Sequence, residues 1–236
     1  MTPIVINPRD ETEAALWRMT SEVAGLFADW PWVIVGAQMV MLLEFEHGRP
    51  TGRATRDLDV VVDVRMVADA ASLAAERLLA AGFETSSERQ HRFVRGHDAV
   101  DLLAPDHLGR RANLTTIAPL VTTSIPGGSR ALATRRLVDV DIVGVESCRL
   151  PVPSLAGAIA LKTAAYNGRL AGRDLEDLVR LLTLVEDVEA VRRELKPAER
   201  TRLGSISALR DESHRAWSSV VDADDARAAF ARLADT

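Results

Sequence analysis

Cysteine, lysine and long apolar runs are all scarce in this chain, and each scarcity closes off a class of protein. The single cysteine, Cys148, leaves no intramolecular disulfide to form, which fits a reducing cytoplasm. No apolar run approaches the roughly 20 residues that a membrane helix needs. Met1 to Glu11 holds acids and prolines but no apolar h-region, so no signal peptide is expected. Of the 29 basic residues only Lys162 and Lys196 are lysine, a bias that makes the place of each worth following. With 34 acidic residues the formal charge is −5, which argues against indiscriminate coating of DNA but leaves room for a local basic patch. What is present is a chain of 236 residues, 47% hydrophobic, enough for one or two domains around a real core.

The hydrophobic pattern divides the chain in two. Asp10, followed by Glu11 and Glu13, marks a helix start, and Leu16, Met19, Val23 and Leu26 carry the helical period to about residue 28. Trp32 to Val35 reads as a buried strand that turns through Gly36 into a helix over 37–46. Residues 49–56 form a loop, Asp57 to Val64 a valine-rich strand, and 67–81 an Ala- and Leu-rich helix stopped by Gly82. His91 to Arg95 and Ala99 to Ala104 suit a β-hairpin across Gly96-His97-Asp98, and 137–143 and 148–152 are two further strands. Beyond Pro153 the character is helical: Ser154 caps a helix to about Asn167, another follows Gly172 to about Leu184, and short helices complete the chain. The expected fold is α/β (α+β), a mixed sheet flanked by helices in residues 1–152 and a helical domain in 153–236.

The segment Arg53-Ala54-Thr55-Arg56-Asp57-Leu58-Asp59 carries the chemistry. On a strand, residues i and i+2 share a face, so Asp57 and Asp59 present two carboxylates side by side while Leu58 and Val60 face the other way. Like charges this close need a cation between them, and hard oxygen ligands suit Mg²⁺ with phosphate oxygens completing its shell; the plain alternative is a solvated edge strand. The Gly36-Ala37 turn offers backbone amides and a helix N-terminus to a phosphate, or is simply a tight turn. Asp101 stands inside the apolar run Val100-Asp101-Leu102-Leu103, where burial demands a partner, either a metal or an arginine. Arg53 and Thr55 stand just ahead of the acidic pair, within reach of triphosphate oxygens.

With these residues the chain resembles the nucleotidyltransferase superfamily related to DNA polymerase β, and within it the AbiEii/MenT-like toxins of type IV toxin–antitoxin systems. The resemblance rests on Val35-Gly36-Ala37, on Arg53-x-Thr55-x-Asp57-x-Asp59 and on Val100-Asp101-Leu102. It continues through Pro126-Gly127-Gly128 and Val152-Pro153-Ser154 to Lys162 and Arg173-Asp174-Leu175-x-Asp177-Leu178, spanning about residues 30–182. It implies a nucleotidyltransferase fold and an Mg²⁺-dependent transfer of NMP from an NTP, with Asp57, Asp59 and Asp101 holding metal. Gly36, Ala37, Arg53 and Thr55 would bind the nucleotide, and Lys162 and Asp174 would assist. It further implies the tRNA 3′ end as acceptor, growth inhibition as outcome and a cognate antitoxin. Ala37 departs from the usual Gly-Gly or Gly-Ser, removing a hydroxyl contact to phosphate. Two other readings stand beside this one: the same fold acting on a small molecule such as an aminoglycoside or lincosamide, and a degenerate binding module.

Lys162 by default is an exposed helix residue, but its rarity in an arginine-rich chain and the resemblance both point to a hold on the triphosphate. Asp174 is preferred over Asp177, whose plain reading is an exposed neighbour on the same helix. Lys196 reads as a surface charge. Arg89, Arg92, Arg95, Arg110, Arg111, Arg130, Arg135 and Arg136 make residues 89–136 locally basic, either for RNA phosphates or as mere arginine-rich surface. The histidines lack metal-ligand spacing, and nothing in the residues selects a nucleotide, an acceptor species or an oligomeric state.

Overall fold

The computed structural model describes residues 2–49, 55–110, 112–169 and 171–234. Helix α1 (Glu11–Leu26) begins where the sequence predicts, with the Asp10 carboxylate accepting from the Glu13 amide at 2.9 Å. It follows a short strand, β1 (Ile4–Ile6). Strand β2 (Trp32–Val35) runs into α2 (Gly36–Glu46), then come β3 (Asp57–Val62) and α3 (Ala70–Ala80). After β4 (Glu84–Thr85), strands β5 (Arg92–Arg95) and β6 (Asp98–Ala104) form the predicted hairpin, with Arg95 opposite Asp98 and Gly96 at φ +60° in the turn. Strand β7 (Thr123–Ser124) and helix α4 (Gly128–Ala133) lead to β8 (Arg135–Ile142) and β9 (Cys148–Pro153).

The main sheet has the order β2-β3-β6-β5-β4, with β7 pairing parallel to the end of β6. β3 is antiparallel to β2 and parallel to β6, so the sheet is mixed, as expected. A second sheet has the order β1-β8-β9. Leu58, Val60 and Val62 of β3 are fully buried, as are Val33 and Ile34 of β2 and Val100 and Leu102 of β6. α1 and α3 pack together against β3 and β6, while α2 packs on β2 and β3. Beyond β9 the structure is helical: α5 (Leu155–Arg169), α6 (Gly172–Leu182), α7 (Val188–Glu194), α8 (Pro197–Gly204), α9 (Ser207–Arg210) and α10 (Ala223–Ala234), with a short 3-10 turn at Arg215–Ser219. Ser154 caps α5 as predicted, its Oγ accepting from the Gly157 amide at 3.1 Å. Among the described residues no helix is long and apolar enough to cross a membrane.

Four elements escape the sequence pattern. β1, β4 and β7 hold two or three residues each, too few to show a period of two. α4 hides behind Pro126-Gly127-Gly128, which reads as loop. Its start is held by Asp106, whose carboxylate accepts from the Gly127 and Ser129 amides at 2.7 and 2.8 Å. The third helix also starts later than its composition suggests, because the chain turns at Asp63, whose carboxylate takes the Arg65 amide at 3.1 Å.

A buried ion pair ties α2 to α6. The Arg180 guanidinium donates through Nε to Glu44 Oε1 at 2.7 Å and through Nη2 to Glu44 Oε2, and its Nη1 reaches Asp177 Oδ1 at 3.4 Å. Both Glu44 and Arg180 are about 5% exposed or less, and removing one member of such a pair is strongly destabilising. Arg180→Leu is therefore expected to lower the unfolding free energy by about 3–5 kcal/mol. Chemical denaturation should show a smaller loss in Glu44→Leu/Arg180→Leu than in Arg180→Leu alone.

Candidate active site

Strand register places the carboxylates. In the parallel β3–β6 pair Asp59 stands opposite Asp101, and in the antiparallel β5–β6 pair Asp101 stands opposite Arg92. Asp59, Asp101 and Arg92 thus form one row across three strands, with Asp57 two residues before Asp59 on the same face. The burial of Asp101, 5% exposed, is answered by an arginine. Arg92 donates through Nε to Asp101 Oδ1 at 2.7 Å and through Nη2 to Asp101 Oδ2 at 2.8 Å. The same Nη2 donates to Asp57 Oδ2 at 2.7 Å, so one guanidinium spans both carboxylates. The hydrogen bond to Asp101 pushes the Arg92 pKa above its ordinary value, and the side chain stays charged.

Asp59 has no such direct partner in that row. Burial, then the adjacent Asp101 charge, push its carboxyl up from 3.8 to about 7; Asp57 adds to the rise, while Lys162 and Arg92 oppose it. The carboxylate lies against the start of α2. Gly36 there has φ +69°, and a Cβ on it would fall 1.9 Å from Asp59 Oδ2 and 2.7 Å from its Cγ. Glycine is therefore needed twice over, for the left-handed backbone and for the approach of Asp59. This is a stronger reason than a tight turn alone. Ala37, 5% exposed, follows it in the helix.

The opposite wall comes from α5 and α6. Lys162 is 5% exposed, not a surface residue, and its Nζ donates to Asp177 Oδ2 at 2.7 Å and to Asp174 Oδ1 at 3.4 Å. Asp177, read from the sequence as an exposed neighbour, is 2% exposed and is the nearer partner of the lysine. The reason is the orientation of α6, whose face bearing Asp174, Asp177, Leu178 and Leu181 packs inward. Asp177 in turn connects Lys162 to the Arg180–Glu44 pair.

These walls enclose one cleft of about 580 Å³, lined by Gly36, Ala37, Thr55, Asp57, Asp59, Asp101, Lys162 and Asp174 among others. Of the nucleotide-binding residues expected from the sequence, Arg53 lies outside the described residues. Thr55 Oγ1 stands 3.4 Å from the Asp57 amide. A second cavity of about 280 Å³ adjoins the cleft through Gly36, Asp59, Lys162 and Asp174 and is walled by Leu103, Ile125, Pro126, Leu161 and Ala165. The three strand carboxylates are hard oxygen donors, and Asp59 is a half-buried carboxylate crowded by the charges of Asp101 and Asp57, so the donor set suits a divalent cation such as Mg²⁺. Among the described residues, however, no three ligating side chains are gathered around a single point.

The basic segment behaves differently from its sequence reading. Arg89 and Arg92 line the cleft, but Arg95 pairs with Glu22 and Asp98, Arg130 with Glu199, and Arg136 with Glu46. Arg110 and Arg135 are exposed, and Arg111 lies outside the described residues. Three cleft residues named in the sequence but given no role at the carboxylates or the lysine are Arg92, read only as part of the basic segment, Arg173, and Asp177, ranked behind Asp174. For Arg92 the signal was available: a two-residue hairpin turn at Gly96-His97 pairs 95 with 98, and hence 92 with 101. Lys196, by contrast, is exposed at the start of α8, as a surface charge should be.

The family described as "Nucleotidyl transferase AbiEii toxin, Type IV TA system" matches residues 41–235, a stretch that contains the cleft residues Asp57, Asp59, Asp101, Lys162 and Asp174 but begins after Gly36 and Ala37. No curated protein matches the chain. The match covers most of the sequence, and the chain belongs to the AbiEii family of nucleotidyl transferase toxins of type IV toxin–antitoxin systems.

Proposed function

We propose that this enzyme transfers a nucleoside monophosphate from an NTP to the 3′-terminal hydroxyl of a tRNA, with Mg²⁺ as cofactor. The observation that carries the reading is that Asp57, Asp59, Asp101, Lys162 and Asp174, drawn from separate parts of the chain, line one cleft with the Gly36 turn. Asp57, Asp59 and Asp101 would hold the metal. When bound, Mg²⁺ neutralises the phosphate charge and orients the phosphates for in-line displacement of pyrophosphate.

The chain's own residues do the rest. Asp101, while accepting from Arg92, would complete the carboxylate set and help deprotonate the attacking hydroxyl. Lys162 places its ammonium against phosphate oxygens. Asp177 and Asp174 hold that ammonium in place by accepting from it, at 2.7 and 3.4 Å. The amides at Gly36 and Ala37, at the positive end of α2, face the same phosphates, and the backbone serves where Ala37 lacks a hydroxyl. Arg53 and Thr55 stand ahead of the acidic pair. Arg89 and Arg173, both exposed on the cleft lining, supply charge for the acceptor's backbone. A toxin of this kind acts against growth and has a cognate antitoxin as its counterpart, and both are parts of the proposal.

A second reading, transfer to a small-molecule acceptor, draws on the internal pairing of Arg95, Arg130 and Arg136, which removes them from any polynucleotide surface. Salt separates the two. Transfer to tRNA should fall steeply between roughly 50 and 200 mM salt, whereas transfer to a small acceptor should not.

Three outcomes are expected. With Mg²⁺, α-labelled NTPs and total tRNA, the wild type labels tRNA; Asp59→Ala loses activity by on the order of 100-fold or more, and Lys162→Arg by about 10-fold. Equal labelling by Asp59→Ala and wild type would refute the site. Gly36→Ala, by forcing Asp59 aside, is expected to reduce transfer about 100-fold even where circular dichroism shows an intact fold. The third outcome concerns pH. A carboxyl raised from 3.8 to about 7 on folding costs stability as pH climbs through that interval, and the cost is complete above it. Without metal, Asp59→Asn should therefore gain Tm over the wild type between pH 5 and pH 8, and Mg²⁺ at pH 8 should narrow the gap.

A further inference from the structure

The Arg92 guanidinium joins Asp57 to Asp101. It grips Asp101 with both prongs of its fork, at 2.7 and 2.8 Å, and reaches Asp57 with one nitrogen, at 2.7 Å. Its backbone position is not free to vary, because β5–β6 pairing puts it directly opposite Asp101. The three carboxylates do not gather around a common point among the described residues, and this bridging cation lies between two of them. Among the described residues Arg89 also meets Asp101, at 4.0 Å, the limit of an ion pair.

We propose that Arg92 is a built-in competitor for the metal seat: a divalent cation binds only as Arg92 lets go of Asp57, while its two bonds to Asp101 persist. The asymmetry of the contacts sets this order. The Asp57 bond is single, and that carboxylate is 40% exposed. The Asp101 contact is paired, and that carboxylate is 8% exposed. Nη2, once released, becomes a donor facing the cleft, where a triphosphate oxygen can accept from it. Metal and nucleotide therefore enter together, and the protein alone holds a divalent cation weakly. Toward the metal Arg92 is a positioning residue, acting through Asp57 and Asp101; only the freed Nη2 would meet the nucleotide. The inference rests on the reading of Asp57, Asp59 and Asp101 as the metal-binding set.

The test is direct binding of Mn²⁺ alone, read from the free-ion EPR signal without nucleotide. Arg92→Gln, which removes the bridge, is expected to bind at least ten-fold more tightly than wild type. Arg92→Lys keeps the charge but lacks a fork able to span both carboxylates, and it too should bind more tightly. Arg89→Gln, which removes a similar charge nearby without removing a bridge, should stay within three-fold of wild type. Tightening in Arg92→Gln that Arg92→Lys does not share would reduce the effect to charge alone and overturn the proposal. So would equal affinity in wild type and both Arg92 variants, with the metal-site reading left standing. Absence of Mn²⁺ binding in every variant, or tight binding that survives Asp59→Asn in the Arg92→Gln background, would remove the metal site and the proposal together.

Discussion

The crowding of like charge at the end of the mixed sheet governs the surrounding structure. Parallel pairing of β3 with β6 sets Asp59 directly against Asp101, with Asp57 beside them on the same face. Three carboxylates so placed repel one another, and the desolvation of Asp59 compounds the repulsion. Nearby cations answer this field. Arg92 neutralises Asp101 and Asp57 from the neighbouring strand, and Lys162 acts on Asp59 from across the cleft. The electrostatic demand that makes the cleft costly to fold is the same property that fits it to hold a divalent cation and a triphosphate.

The helical half serves this cleft through a chain of buried charges. Lys162 on α5 is held by Asp177 and Asp174 on α6, and Asp177 shares Arg180 with Glu44 on α2. Because α2 starts at Gly36, the helix that carries this turn is anchored through α6 to the helix that carries the lysine. The two walls of the cleft are therefore joined by ion pairs as well as by apolar packing. A pair buried this completely contributes little net stability but penalises any arrangement that separates its members. It acts as a registration device between the strand half and the helical half.

Arginine is abundant, but few arginines stand at the cleft. Arg95, Arg130 and Arg136 close salt bridges to Glu22, Glu199 and Glu46, each far away in sequence, and so link β5, α4 and β8 to α1, α8 and α2. The lysine that carries a proposed role is distinguished by burial and by two carboxylate partners, properties that the composition only hinted at through its rarity.

The residues by themselves determined the local elements and the first step of the site. Asp57 and Asp59 share a face because a strand repeats every two residues, Asp10 and Ser154 start helices because their side chains satisfy free amides, and Gly96 permits the hairpin turn. The family resemblance, carried by Asp57, Asp59, Asp101, Lys162 and Asp174, was legible for the same reason: each motif is short and contiguous. What only the tertiary structure decided are the contacts between distant segments. Arg92 on Asp57, Asp177 on Lys162 and Arg180 on Glu44 depend on strand register and on how α2, α5 and α6 cross, which no single segment's period encodes. Gly36 shows the division most plainly. Its presence at a turn was readable in the sequence, but the reason no side chain is tolerated there is a carboxylate brought to it from another strand by packing.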